Sequence, residues 1–503
     1  MGDKILEVMR PKGGRLTGEF SPLVNKYFYG PSRVMICKGW QMDDKAHTVM
    51  LTEEGIIPKE AGIKILKALR QMEKEGVEKV KEEIGGYSRG ALLGELYVTR
   101  VTGPDIGGWI NCGRSGAETA LVGWRVEERD DIIAILKELA NIRRTFLEKA
   151  GEHIETVMPG YTQLQQAEPI TFGFYLLGWV HQFERDSERF QAAYKHANIS
   201  PAGCGILTTT DYPVNPERQQ ELLGFDSTFT NARDAIWSFD QFLEFLSAMV
   251  TTVGTLSKLA DDLTIWQSSE FGMVEESMVY ASASAIMPQK KNPAVSCIRG
   301  LYGAIIGVLM SFLATGKTHS DAFDLDAMAL GQMFSEVPPK CLAALQLMNG
   351  IVRELKVNKE LMKERAGMFW AQAAYLANTI VREKEIPFRT AHTIVGRLVR
   401  MAYDEGKKPQ DATSEMLDRA AKEVAGKSLY LNEEVLRKAL DPAIIVKSKK
   451  VVGGTAPERI REDIARSLER IKEDEGIVAT MESKLAAAER KLEEAVDKII
   501  GQA

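Results

Sequence analysis

The run Ala281 to Pro293, ASASAIMPQKKNP, brings together groups that a core helix does not combine. Ser284 offers a hydroxyl, Lys290 a cation and Asn292 an amide, while Pro288 and the small residues keep the segment out of regular helix. Such a set suits an anion. A serine hydroxyl can also serve as a base, provided that its anionic form is stabilised by nearby positive charge and hydrogen-bond donors in a closed site. Lys290 is the obvious supplier of that charge.

Other candidate groups are weaker. Six histidines (His47, His153, His181, His196, His319, His392) include no pair at i, i+3 or i, i+4 spacing, so a metal site is not expected. His47 and His392 read as packing or capping residues. The five cysteines (Cys37, Cys112, Cys204, Cys297, Cys341) are far apart and lack CxxC spacing, which points to a reducing cytoplasm rather than a disulfide framework. Cys112 and Cys204 lie in glycine-bearing loops, NCGRSG and AGCGIL, where a thiol near a substrate is able to give up a proton. Trp237, Phe239, Phe242, Phe245, Trp266 and Phe271 fall on or beside long helical stretches, where core or subunit packing is the expected role.

The elements that must position these groups are helical. Lys59–Ile84, Thr119–Glu148, Thr171–Lys195, Ala232–Leu263 and Cys297–Leu313 all carry apolar residues at helical spacing. Helices this long, with few strand signals, support one another in a bundle. The glycine-dense Gly103–Gly116 reads as a loop joining two domains. Past Gly367 shorter helices are predicted, one bounded by Pro387 and Gly406, followed by a turn at Gly453–Pro457 and a charged amphipathic helix over Glu458–Ile500. The expected division is 1–117, 118–367 and 368–503: an all-α chain with a long central bundle.

Net charge is -6 and the basic residues are dispersed, so nucleic acid is not an expected partner. The longest uncharged apolar run, Gly300–Gly316, falls short of the roughly 20 residues that cross a bilayer. It reads as a buried helix, and no membrane partner is expected; the first residues, MGDKILEVMRPKGG, lack the apolar core of an export signal.

The central run resembles the signature loop of the aspartase/fumarase superfamily, Gly-Ser-Ser-x-Met-Pro-x-Lys-x-Asn, with Ala283-Ser284-Ala285 standing where Gly-Ser-Ser is usual. MPGYTQLQQAEPI (Met158–Ile170), ELLGFDS (Glu221–Ser227), LADDLTIWQSSEFGMVE (Leu259–Glu275) and GGTAPE (Gly453–Glu458) resemble argininosuccinate lyase in particular, and the resemblance spans almost the whole chain. It implies a cofactor-free β-elimination of a carbon–nitrogen bond from a small carboxylate-bearing substrate of the N-substituted aspartate type, releasing fumarate or an analogue. Ser284 is then the general base, with Lys290 and Asn292 holding the charge that develops on the carboxylate. Arg114, Ser115, Thr162, Gln163, Gln165 and His319 would contact the substrate. The resemblance further implies a homotetramer whose active sites are each built from loops of three subunits.

Several positions depart from that pattern. The family's Thr-His-x-Gln reads Thr162-Gln163-Leu164-Gln165, and Lys290–Arg299 lacks the glutamate that orients the missing histidine. The acid system is absent as a unit, as expected when a buried carboxylate would otherwise keep an uncompensated charge. Either the leaving group departs unprotonated, or His319, Cys112 or Tyr161 donates instead. The family's His-Thr-Gly-Arg-Ser-Arg-Asn-Asp reads Asn111 to Glu118, NCGRSGAE, without the second arginine and the asparagine. Its Thr-Tyr-Asn-x-Asp-Leu-Gln-Glu-Asp corresponds to Thr318–Asp326, where His319 and Asp324 replace tyrosine and glutamine. A lost guanidinium contact to a carboxylate is worth roughly 1.5 to 3 kcal/mol, which speaks against argininosuccinate itself as substrate. The competing reading is a scaffold or binding protein that kept the fold and lost catalysis.

Overall fold

The computed structural model describes residues 36–76, 79–80, 93–287, 290–316 and 330–501. The chain is all-α, with its few strands confined to two-stranded pairs among the described residues. Helices α1 (Ile36–Glu53), α2 (Lys59–Glu75) and α3 (Leu93–Thr102) precede α4, which runs from Gly116 to Glu152. A hairpin of β1 (Val157–Thr162) and β2 (Gln165–Thr171) leads into α5 (Phe172–Ala197). Helix α6 (Asp240–Trp266) is followed by a second, minimal hairpin, β3 (Ser282–Ala283) with β4 (Lys290–Lys291). Then come α7 (Pro293–Gly316), α8 (Val337–Glu354), α9 (Ala373–Lys384), α10 (Phe388–Asp404), α11 (Ser414–Ala425) and α12 (Pro457–Ile500).

Local chemistry sets the boundaries. Helix α2 stops at Glu75, short of the expected Ile84, because Gly76 turns to φ +86°. The expected single helix over Ala232–Leu263 is two, Ala232–Trp237 and α6, broken where Ser238 turns extended and its hydroxyl accepts from Arg125 Nη2 at 2.8 Å. Helix α10 spans the predicted interval between Pro387 and Gly406.

Helix α4 is the axis of the bundle, packed by α1, α5, α8 and α12. Where α1 crosses it, a Cβ on Gly39 would lie 2.6 Å from Gly123 Cα, so the two backbones meet only because both residues are glycine. One apolar cluster runs through α4, α5, α6 and α8 (Phe146, Phe183, Phe245, Leu345); a second gathers α1–α3 (Met50, Leu66, Tyr97); a third lies in α9–α11 (Ile380, Leu398, Leu417). Helix α12 runs along α4, placing Ile460, Ile471 and Val478 in the first cluster and Leu492, Val496 and Ile499 in the second.

Helix α7 differs from expectation. It extends back to Pro293, is long and apolar enough to cross a membrane by length and composition, and is mostly uncovered in the protomer rather than buried. Ala294, Val295, Ile298, Ile305 and Phe312 pack inward, whereas Met310 is 57% exposed and Gly300, Gly303 and Gly307 face open space.

Helix α12 is stapled to α5 by charge as well as packing. His181 Nδ1 lies 3.0 Å from Glu184 and Nε2 2.8 Å from Asp463, so both ring nitrogens donate. The hydrogen bond to Asp463, then that to Glu184, raises the imidazole pKa to about 9 against burial. A raised histidine pKa stabilises fully below the unfolded value near 6.5 and ceases to do so as pH rises through about 9. His181→Gln is therefore expected to lower the thermal midpoint below pH 6.5 and to lose that deficit above about pH 9. Melting curves across this range check it; a deficit independent of pH removes the charge from the account.

Candidate active site

The signature segment is a hairpin. Antiparallel pairing of Ser282 with Lys291 and of Ala283 with Lys290 closes its base, so Ser284 is the first residue beyond the ladder on one strand and Lys290 the last on the other. Ser284 Oγ accepts from the backbone N–H groups of Ile286 and Met287, both at 3.5 Å, long contacts of a local serine turn that point two donors at the hydroxyl. Asn292 stands immediately before α7, near its positive end; its side-chain Oδ1 is buried and has no hydrogen-bond partner among the described residues. Ile286 at the tip is 94% exposed. Lys290 is not free: its ammonium donates to Glu275 Oε1 at 3.1 Å and, at closer range, to the carbonyl of Glu276.

Thr162 and Gln165 are paired across the first hairpin, and the two residues between them turn it. Gln163 and Leu164 have φ of +52° and +59°, the left-handed pair that a two-residue hairpin turn requires and that non-glycine residues adopt at a cost. All four side chains are exposed. Tyr161, one residue before, is seated against Trp266 and Phe271, its hydroxyl 3.8 Å from Met273 Sδ, and burial pushes its pKa up.

Arg114 and Ser115 form a third group at the start of α4. Ser115 caps the helix, accepting from Glu118 N–H at 3.2 Å and donating to Gly205 O at 2.9 Å. Arg114, its side chain 1% exposed, donates to Asp43 at 2.8 Å, to Asp44, and to Asn111 Oδ1 at 3.0 Å. Its nitrogens are thus engaged within the protomer, as a tie between α1 and the loop before α4. His319 lies outside the described residues.

Three buried acids around Arg114 escaped the sequence reading. Burial, only partly offset by Arg114, lifts Asp43 to about 6, and burial with the Asp43 charge lifts Glu118 to about 8. Glu118 accepts from Gly203 N–H at 2.7 Å and Gly205 N–H at 2.6 Å, fixing the loop that carries Cys204. His47 is held neutral by burial and by Arg114, donating from Nε2 to Cys112 O at 2.9 Å and accepting from Gln219 at 3.1 Å. The one signal available was an acidic pair, Asp43-Asp44, followed by a histidine within a turn of helix. The fourth, Glu276, sits beneath the signature hairpin, fully buried.

These groups do not converge in one protomer. Helix α4 has 37 residues, about 55 Å at 1.5 Å per residue, with Arg114 and Ser115 before its first turn and the Thr162–Gln165 hairpin after its last. The signature hairpin follows the C-terminal end of α6, which packs on the Tyr161 side. The described residues show no hydrogen bond or ion pair from one group to another.

Known proteins share the sequence pattern and the fold. The lyase family matches residues 32–307, and the argininosuccinate lyase C-terminal family matches residues 370–447. Argininosuccinate lyase of Methanosphaera stadtmanae is 38% identical over 84% of this chain and 91% of its own length; that of Methanosarcina acetivorans is 36% identical over 90% and 91%. This chain belongs to the argininosuccinate lyase-like branch of the aspartase/fumarase superfamily. It is a lyase. EDDS lyase in complex with formate superposes with a TM-score of 0.85 at 27% identity, over 98% of this chain and 99% of that one. A fumarate lyase from Mesorhizobium sp. BNC1, at 20% identity and a TM-score of 0.70, shares the fold.

Within this branch, Arg114 has a scaffolding task that can be measured apart from activity. Arg114→Ala leaves Asp43 and Asp44 buried without their cation, an expected loss of about 3 to 5 kcal/mol. Urea denaturation reads the loss, and adding Asp43→Asn with Asp44→Asn should restore much of it. An Arg114→Ala protein as stable as the parent would free this guanidinium for the substrate.

Proposed function

We propose that the protein catalyses cofactor-free β-elimination of a carbon–nitrogen bond from an N-substituted aspartate type of substrate, releasing fumarate or an analogue. The observation that carries this is the signature hairpin: Ser284 Oγ receives two backbone N–H groups, with Lys290 one ladder position away and the Asn292 amide at the mouth of α7. Ser284 removes the proton from the carbon next to a carboxylate. The extra charge on that carboxylate is met by Lys290 and the Asn292 amide N–H while the carbon–nitrogen bond breaks. Gln163 does not titrate near neutrality, so the departing nitrogen leaves unprotonated or is served by Tyr161, Cys112 or His319. Burial holds the Tyr161 and Cys112 protons in place at neutral pH, as a donor needs.

The assembly we propose is a homotetramer. A separation of about 55 Å along α4 keeps Arg114 and Ser115 away from Gln163 in any one chain, and copies packed side by side through α7 would bring loops of different chains together. The open stripe of Gly300, Gly303 and Gly307 beside Met310 and Leu313 suits close helix approach.

Two measurements test these readings. Absorbance in the fumarate band, with a panel of N-substituted aspartates, should rise with the parent protein and fall by more than about a hundredfold in rate with Ser284→Ala, which has no group to take the proton. Equal rates would remove Ser284 as base, and silence of both across the panel would favour a retired scaffold. Met310→Glu places a charge on the uncovered α7 face and should turn tetramers into smaller species in sedimentation equilibrium, with activity falling in parallel. A parent protein that sediments as a monomer refutes the assembly.

A further inference from the structure

Beneath the signature hairpin lies a carboxyl group that the elimination does not use. Glu276 is fully buried, at 0% exposure, and Glu128 is buried too, so an unpartnered carboxyl oxygen is not unique to it; what sets Glu276 apart is its place at the foot of the hairpin. Its Oε2 accepts from Gln267 Nε2 at 3.3 Å, and its backbone N–H donates to Gln267 Oε1 at 3.0 Å. Its Oε1 is buried without a partner among the described residues. Gln267 ends α6, so this clasp ties the foot of the hairpin to the bundle.

The same residue touches the loop cation. The Glu276 carbonyl accepts from the Lys290 ammonium, which also reaches Glu275 at 3.1 Å. Glu275 is exposed, so that ion pair alone is worth little. The buried Glu276 charge, by contrast, is felt by Lys290 in a less polarisable setting, and the attraction is mutual: burial raises the Glu276 pKa while Gln267 and Lys290 oppose the rise. The charged groups near this step are Glu275, Lys290 and Lys356, the last on the strand paired with Val274–Glu275.

We infer that Glu276 is a positioning residue of the signature hairpin, clasping it to Gln267 and holding the Lys290 ammonium at rest on the Glu275–Glu276 step. A substrate carboxylate must draw Lys290 off that step, so the acidic step selects for a ligand anionic enough to do so. The inference rests on the proposed elimination only in giving Lys290 a carboxylate to meet.

Competitive acetylation with limiting acetic anhydride, read by mass spectrometry on the peptide holding Lys290 and Lys291, measures the resting state without any assay of activity. In the parent protein Lys290 should label more slowly than its neighbour Lys291, and saturating succinate should change the ratio. In Glu276→Gln, which keeps the size and the Gln267 contact but removes the charge, the ratio should rise about two- to fivefold, the scale of a weak ion-pair term. Glu276→Asp should bring it back towards the parent value, a rescue that mere filling of space does not produce. Equal labelling of the two lysines in the parent protein overturns the inference outright. So does an unchanged ratio in folded Glu276→Gln, or a rise seen in Glu275→Gln alone. Should Glu276→Gln fail to fold, Gln267→Leu, which breaks the clasp from the other side, is expected to give the same rise, and no change there is equally fatal. Fumarate release that depends on Ser284 with none of these labelling effects would leave the elimination standing and this inference refuted.

Discussion

The burial of α4 is the constraint on which the rest of the molecule depends. Four helices cover it, and its buried positions include Ile132, Ile133 and Ile142, which point to different sides of the helix. A helix that enclosed cannot bend or slide without opening apolar surface to water, at about 25 cal/mol for each square ångström. Its two ends are therefore fixed points in space. From one hangs the Arg114–Ser115 loop, and from the other the β1–β2 hairpin. The length of α4, more than any local preference, decides that these two loops serve different places.

Electrostatics then distinguishes the Arg114 loop from the signature hairpin. Each guanidinium nitrogen of Arg114 meets a buried acid or an amide oxygen, and Glu118 beside it holds two backbone N–H groups, so one network links α1, the glycine loop at 203–205 and the first turn of α4. Breaking one partner there strands a charge in a low-dielectric interior. The signature hairpin is organised in the opposite way. Its groups are partly exposed, its hydrogen bonds are long at Ser284, and the Asn292 oxygen lacks a partner. That oxygen can only accept and so awaits a donor, whereas the positive end of α7 beside it is what suits an anion.

The missing His–Glu pair fits this division. A histidine at Gln163 would stand on an exposed turn whose backbone is already left-handed at two successive residues, and its orienting carboxylate would have come from the first turns of α7. Losing both together leaves neither an unpaired charge nor an unsupported ring. Under the proposed elimination, what remains at the hairpin is a candidate base and candidate charge stabilisers, the two functions that carbon–hydrogen bond cleavage next to a carboxylate demands.

The helical class, the long central stretches and the signature run were legible in the sequence, because apolar periodicity and the order of Ser284, Lys290 and Asn292 are local properties of the chain. The sequence also exposed the substitutions at Gln163 and along Asn111–Glu118. The tertiary structure alone decided what each polar group faces. That Arg114 is tied to Asp43 and Asp44, that Lys290 rests on Glu275 and Glu276, and that α7 keeps an open apolar face all depend on residues far apart in the chain. Burial and charge pairing are long-range quantities: a helical period says which residues share a face, but only packing says whether that face meets protein, substrate or another copy.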